Sequence, residues 1–224
     1  MKKVSLENGQ YLMRFDCGAD DFYFDSGNML YAADALLEIA GGQQGLVCIY
    51  GGFGCGKTHL LKGFYRDAKS ACPGNAAAYI SAKCLSEELM AALCTGTVAA
   101  LADRYASYKL LVVEDTDILL GKEPMQNIFF QLFEHIIERG CSIVMSAAVH
   151  PDSFPGLYPL FALCGGMIVE LGYPNAACRR NFAEATCVEW GVYITLEEAE
   201  MLADSCTTIP QLRGAIFSRA LKAA

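Results

Sequence analysis

Five short apolar runs punctuate the chain: Leu46–Tyr50, Ala76–Ser81, Leu110–Val113, Cys141–Met145 and Met167–Leu171. Runs this short, with little internal alternation, predict strands buried on both faces of a parallel sheet. Between them lie segments of helical period. Leu30, Ala33, Leu37 and Ala40 form a face over Met29–Ala40, which Gly41-Gly42 closes. His59–Arg66 follows the first run, Ser86-Glu87-Glu88 opens another helix, and Leu101–Tyr108 covers the sheet. Over Pro124–Arg139, Ile128, Phe129, Leu132, Phe133, Ile136 and Ile137 make a two-row stripe, and Gly140 ends it. His135 lies off that stripe and reads as a surface residue. Strands alternating with helices predict an α/β domain with a five-stranded parallel sheet.

The pattern changes after Tyr173-Pro174, where only helical periods remain. Asn175–Trp190 is the first such helix, Thr195-Leu196-Glu197-Glu198 is a capping box opening the second, and Thr208-Ile209-Pro210-Gln211 opens the third. The predicted organisation is an arm over residues 1–21, an α/β domain over 22–172 and a small helical lid over 173–224. Residues 1–21 lack a helical period and read as an irregular, extended arm.

Chemistry concentrates in Gly51-Gly52-Phe53-Gly54-Cys55-Gly56-Lys57-Thr58, which fits the phosphate-loop pattern between a predicted strand and a predicted helix. Backbone N–H groups and the helix N-terminus there favour an anion, and glycine permits the tight turns and close approach. Lys57 is placed to reach β- and γ-phosphates, and Thr58 to hold Mg²⁺ through its hydroxyl. Leu110–Val113 ends in Glu114-Asp115, a buried strand delivering two carboxylates to its C-terminal end. Glu114 occupies the usual Mg²⁺ position, one methylene longer than the customary Asp, and Asp115 the position that orients an attacking water. ATP or ADP with Mg²⁺ is the expected cofactor.

Composition narrows the class. Hydrophobic residues are 54% and charged residues 19%, which excludes a disordered chain. No apolar run approaches the ~20 residues of a membrane span, and Met1-Lys2-Lys3-Val4-Ser5-Leu6-Glu7-Asn8 is not a secretory signal. Eleven cysteines without Cys-x-x-Cys spacing read as reduced, mostly buried thiols, so a cytoplasmic setting is expected and a zinc site is not. A net charge of −8 argues against direct DNA binding, which requires a basic face.

The order of motifs resembles the AAA+ core of the bacterial replication initiator family, DnaA, and within it the Hda-like regulatory inactivators. Phe22–Asn28, Gly51–Leu61, Leu110–Asp115, Phe129–Gly140, Leu171–Arg179 and Leu212–Ile216 carry the likeness. The resemblance implies a strand order of 5-1-4-3-2, nucleotide held between sheet domain and lid, His59 within the loop motif, and Asn28 near the adenine. It implies a DnaA-type initiator as partner and nucleotide-bridged assembly into homo-oligomers. The chain ends after the lid, without the initiator's helix-turn-helix, as Hda-like proteins do. Gln10-Tyr11-Leu12-Met13-Arg14-Phe15 is similar to their sliding-clamp peptide, with Gln10 as hydrogen-bonding group and Met13 and Phe15 as apolar anchors.

Departures from the family pattern bear on turnover. The arginine-finger stretch corresponds to residues 157–166, which contain no arginine. The polar sensor-1 position is Ala147, next to Ser146, and the sensor-2 arginine position is Pro210. Arg213, one helical turn on, is the candidate substitute. A finger contributes roughly 10³–10⁵ in rate, so nucleotide binding with weak hydrolysis is expected. The alternatives are an active ATPase of the helicase-loader or transposase-helper type, and a scaffold that binds no nucleotide. Intact Lys57 and Thr58 disfavour the scaffold.

Overall fold

The computed structural model describes residues 1–6, 10–16, 22–25, 28–71 and 77–223. Five parallel strands form its centre: β4 (Leu46–Tyr50), β5 (Ala77–Ser81), β6 (Leu110–Glu114), β7 (Ser142–Ala147) and β8 (Met167–Glu170). Their spatial order is β5-β6-β7-β4-β8. Counted among themselves from the other edge, that is the expected 5-1-4-3-2. Every pairing between them is parallel.

Parallel strands need both faces covered, and strand alternation divides the core accordingly. Val47, Ile49, Val112, Val144 and Val169 face helix α1 (Asn28–Ala40) and helix α2 (Lys57–Ala71), where Leu36, Leu60, Leu61 and Phe64 are fully buried. Cys48, Leu111, Val113, Ile143 and Met145 face the other layer. That layer is built by α3 (Ala82–Thr95), α4 (Val98–Ala106) and α5 (Glu123–Glu138). The α5 stripe behaves as its period requires, with Phe129, Leu132, Phe133 and Ile136 buried. His135 sits at the rim beside Asp103.

A short α6 (Pro159–Leu163) precedes β8, after which the lid comprises α7 (Ala176–Glu189), α8 (Leu196–Ser205) and α9 (Ile209–Ala223). Its own core is Phe182, Ala183, Cys187, Cys206, Leu212 and Ile216. The capping box is present: Thr195 accepts from the Glu198 backbone N–H while the Glu198 carboxylate accepts from the Thr195 backbone N–H. No helix among the described residues is long and apolar enough to cross a membrane.

The N-terminal segment departs from the sequence expectation. Instead of an irregular arm, β1 (Lys2–Ser5), β2 (Gln10–Arg14) and β3 (Phe22–Asp25) form an antiparallel sheet in the order β1-β2-β3. Its inner side joins the α1/α2 layer: Met13 is fully buried, and Phe15 and Phe24 retain 4% exposure each. Phe15 lies over Gly63 of α2 and edge-on to His59. The Asp16 backbone N–H donates to Asp67 of the same helix at 2.9 Å. Gln10 is buried as well, and its Oε1 accepts from Asn181 Nδ2 of α7 at 2.6 Å. The three residues expected to serve as clamp anchors are therefore engaged by the protein's own interior. A peptide cannot fill a partner's pocket with side chains that its own fold already surrounds, and in this structure Gln10, Met13 and Phe15 are packed inward rather than presented to a clamp.

Candidate functional site

Between the C-terminal edge of the sheet, β3 and the lid lies a cleft of about 960 Å³. Open α/β sheets place ligands at this edge, where helix N-termini and loop backbones converge. The loop from β4 to α2 forms its floor. Gly56 has φ +106°, and a Cβ there would approach the Phe22 ring to 2.8 Å, so both backbone and space require glycine. At Gly52 a Cβ would meet the Tyr173 hydroxyl at 2.5 Å. At Gly52 the loop thus passes beneath Tyr173 at the start of the lid with no room for a side chain.

Lys57 is the first residue of α2. Its Nζ donates to the carbonyl oxygens of Gly51 at 2.6 Å and Gly52 at 3.0 Å, with the Cys55 thiol 3.9 Å away. The ammonium is thereby held over the loop, where an entering phosphate would meet it. Thr58 is exposed on the cleft in the first turn of α2, beside Gly54, Cys55, Gly56 and His59. The His59 ring stacks on Phe22 with 6.0 Å between centroids. Phe22, Phe24, Met29 and Phe182 supply an apolar wall suited to a flat heterocycle. Asn28 is the first residue of α1 and its side chain lies outside the described set.

The two acids after β6 part company. Asp115 lines the cleft, whereas Glu114 does not. Glu114 is buried at the strand end, and its Oε2 accepts from the Tyr79 hydroxyl of β5 at 2.7 Å. Burial, that hydrogen bond and the Glu114 charge push the Tyr79 phenol above its ordinary pKa. Glu114 thus has one carboxylate oxygen engaged by Tyr79 at the strand end. The Tyr79 phenol, half-buried at the edge of the same face, needs an acceptor and takes this carboxylate. Asp115 reaches the cleft because the chain leaves the strand in the left-handed region, at φ 58°. Asp115 is alone in this among the described non-glycine residues, and Asp tolerates it better than most. Its backbone N–H donates to Ser146 Oγ at 3.1 Å, and Thr116 Oγ1 donates to the Ser146 carbonyl at 2.9 Å. Burial raises the Asp115 carboxyl above the usual range; the Glu114 and Asp117 charges add to this, and Lys57 and Lys62 oppose it.

On the lid side, Ile209, Pro210 and Arg213 of α9 face the cleft. The Arg213 guanidinium stands over the Trp190 ring, 5.7 Å from its centroid. Ala147 is fully buried and Ser146 is committed to the turn after β6. No cluster of three His, Cys, Asp or Glu suited to a metal exists among the described residues. The structure therefore gathers Gly54–His59, Asp115 and Arg213 in one cleft, with Gly51 and Gly52 immediately beneath Lys57. It also brings in Lys62, Tyr173 and Phe182, which the motifs did not single out. Helical spacing from Thr58 was the available signal for Lys62.

A nucleotide fits this geometry. The loop admits no Cβ at Gly51, Gly52 or Gly56, the ammonium lies over the loop, and the apolar wall stands beside it. Comparison with known proteins agrees. The model of the bacterial DnaA ATPase domain matches residues 17–159. The chromosomal replication initiator protein DnaA of Oenococcus oeni is 29% identical over 195 residues, covering 86% of this chain and 43% of the relative. A solved replication initiator DnaA bound to AMPPCP and single-stranded DNA is 27% identical with a TM-score of 0.77, covering 90% of this chain and 63% of that one. AMPPCP-bound DnaA from Aquifex aeolicus is 26% identical with a TM-score of 0.77, covering 90% and 64%. The chain spans less than half the length of the curated relatives it matches, 43% in the first and 47% in the second.

Proposed function

Because the chain belongs to the bacterial DnaA ATPase-domain family, we propose that it is a nucleotide-dependent regulator of replication initiation. In this reading it holds ATP or ADP, hydrolyses ATP slowly and docks on a DnaA-type initiator, as an Hda-like protein does. One observation carries the reading: the cleft retains the phosphate-holding parts while the groups that promote cleavage are missing. Lys57 sits on the loop, Asp115 and Arg213 line the walls, Ala147 is buried, and residues 157–166 offer no arginine.

Within this reading Lys57 neutralises the β- and γ-phosphates, and the α2 N-terminus adds partial positive charge. Mg²⁺, which lowers the charge of the bound phosphates, would be held by Thr58 with Asp115 as the carboxylate facing it, in place of Glu114. Arg213 offers lid charge towards the nucleotide from its seat on Trp190. Self-association across the nucleotide is expected to be weak, since the stretch that would supply a finger to a neighbour has none.

Co-sedimentation with a purified full-length DnaA initiator, in ATP, in ADP and without nucleotide, tests the regulatory role. Binding that depends on nucleotide and is lost in Lys57→Ala is the expected result. Equal absence of binding in all three conditions would overturn the docking part of the proposal.

A further inference from the structure

Lys62 lies four residues beyond Thr58 in α2 and lines the same cleft. Residues four apart share a helix face, and each Cα–Cβ bond tilts towards the helix N-terminus. The Lys62 stem therefore runs back over Thr58, towards the mouth of the phosphate loop. A rise of about 1.5 Å per residue puts its Cα roughly 6 Å further along the axis than that of Thr58, within reach of a four-carbon stem. Its charge acts on Asp115, which lines the cleft with it.

The other cations of the cleft have assignments. Lys57 is seated on the Gly51 and Gly52 carbonyls, and Arg213 stands over Trp190. Lys62 is exposed and shares the cleft lining with Asp115. A solvated surface lysine contributes little. One aimed along a helix face into a cleft, beside the carboxylate expected to face Mg²⁺, is placed to meet the outermost phosphate. A diphosphate would leave it without a partner.

We propose that Lys62 contacts the terminal phosphate of a bound nucleoside triphosphate and sets a preference for triphosphate over diphosphate. This rests on the nucleotide-binding reading above and names the residue that distinguishes the two states in the absence of sensor and finger groups. It is a positioning and specificity role, separate from the loop contact made by Lys57.

Calorimetric titration of Mg–ATP and Mg–ADP into wild type, Lys62→Gln and Lys62→Arg tests it. Lys62→Gln is expected to weaken ATP binding about tenfold, roughly 1.4 kcal/mol, with ADP affinity unchanged to within about twofold. Lys62→Arg is expected to keep most of the wild-type ATP-to-ADP ratio, because charge and reach are preserved. Thermal melts should coincide for all three, as Lys62 is exposed. Equal loss for both nucleotides, or none for either, overturns the role of Lys62 while leaving nucleotide binding intact. A wild type that binds neither nucleotide overturns both.

Discussion

Lys57→Ala is expected to weaken nucleotide binding by at least roughly 30-fold while leaving the fold intact. The Lys57 ammonium bridges the carbonyl oxygens of Gly51 and Gly52 at 2.6 and 3.0 Å, directly over the loop. A bound phosphate would exchange those contacts for charge-assisted ones in a cleft lined by Tyr173 and the lid. Truncating one partner of such a charge pair costs about 2–5 kcal/mol, which converts to a loss between roughly 30-fold and several thousandfold. The same change removes only loop hydrogen bonds from the ligand-free protein, so its thermal midpoint should move little. Calorimetry with ATP and ADP on both proteins, alongside thermal melts, separates the two effects. Undiminished binding in Lys57→Ala would mean that the loop is not where phosphate sits.

Phe15→Ala carries the largest expected cost in stability. Phe15 retains 4% exposure, packs across Gly63 of α2 and meets His59 edge-on at 6.3 Å between centroids. Removing a buried phenyl ring costs about 3–5 kcal/mol, a large share of the ~5–15 kcal/mol that holds a typical domain together. For a chain of this size the midpoint should fall on the order of 10 °C. The outcome also decides the fate of the N-terminal segment. If residues 10–15 formed a free peptide reserved for a partner, the substitution would leave the melt unchanged. A shift of the predicted size shows that the anchors belong to the core.

The contrast between those two sites explains what the sequence makes legible. β4, β6 and β7 announce themselves because a strand buried on both faces must be apolar throughout, and Leu46–Tyr50, Leu110–Val113 and Ser142–Ala147 nearly are. The phosphate loop is legible because its glycines answer to backbone geometry, as Gly56 at φ +106° does. The α8 start is legible because a capping box is a local arrangement satisfied within one turn.

The N-terminal sheet is not local in that sense. Lys2-Lys3-Val4-Ser5 has weak strand character, and β2 is defined less by its own sequence than by where Leu12 and Met13 are buried. The buried glutamine is similarly obscure: Gln10 needs Asn181, a residue in the lid, to be satisfied. Glu114 and Asp115 show a subtler limit. The sequence says that two carboxylates end a strand, but which enters the cleft depends on the left-handed turn at Asp115 and on Tyr79 from the neighbouring strand. Arg213 needs no such partner to be noticed. Helical spacing from Pro210 puts it on the same side of α9, and the structure places both on the cleft wall.

Whether this cleft holds ATP without cleaving it quickly can be read from a single-turnover experiment. Wild-type protein is mixed with a stoichiometric amount of γ-labelled ATP and Mg²⁺, and bound nucleotide and released phosphate are followed together. About one equivalent should bind, with phosphate release on the order of 10⁻³ per second or slower, the regime of a phosphate-loop site without an arginine finger. Release near 1 per second or faster would contradict it, because residues 157–166, Ala147 and Pro210 would then not have cost the site its catalytic groups.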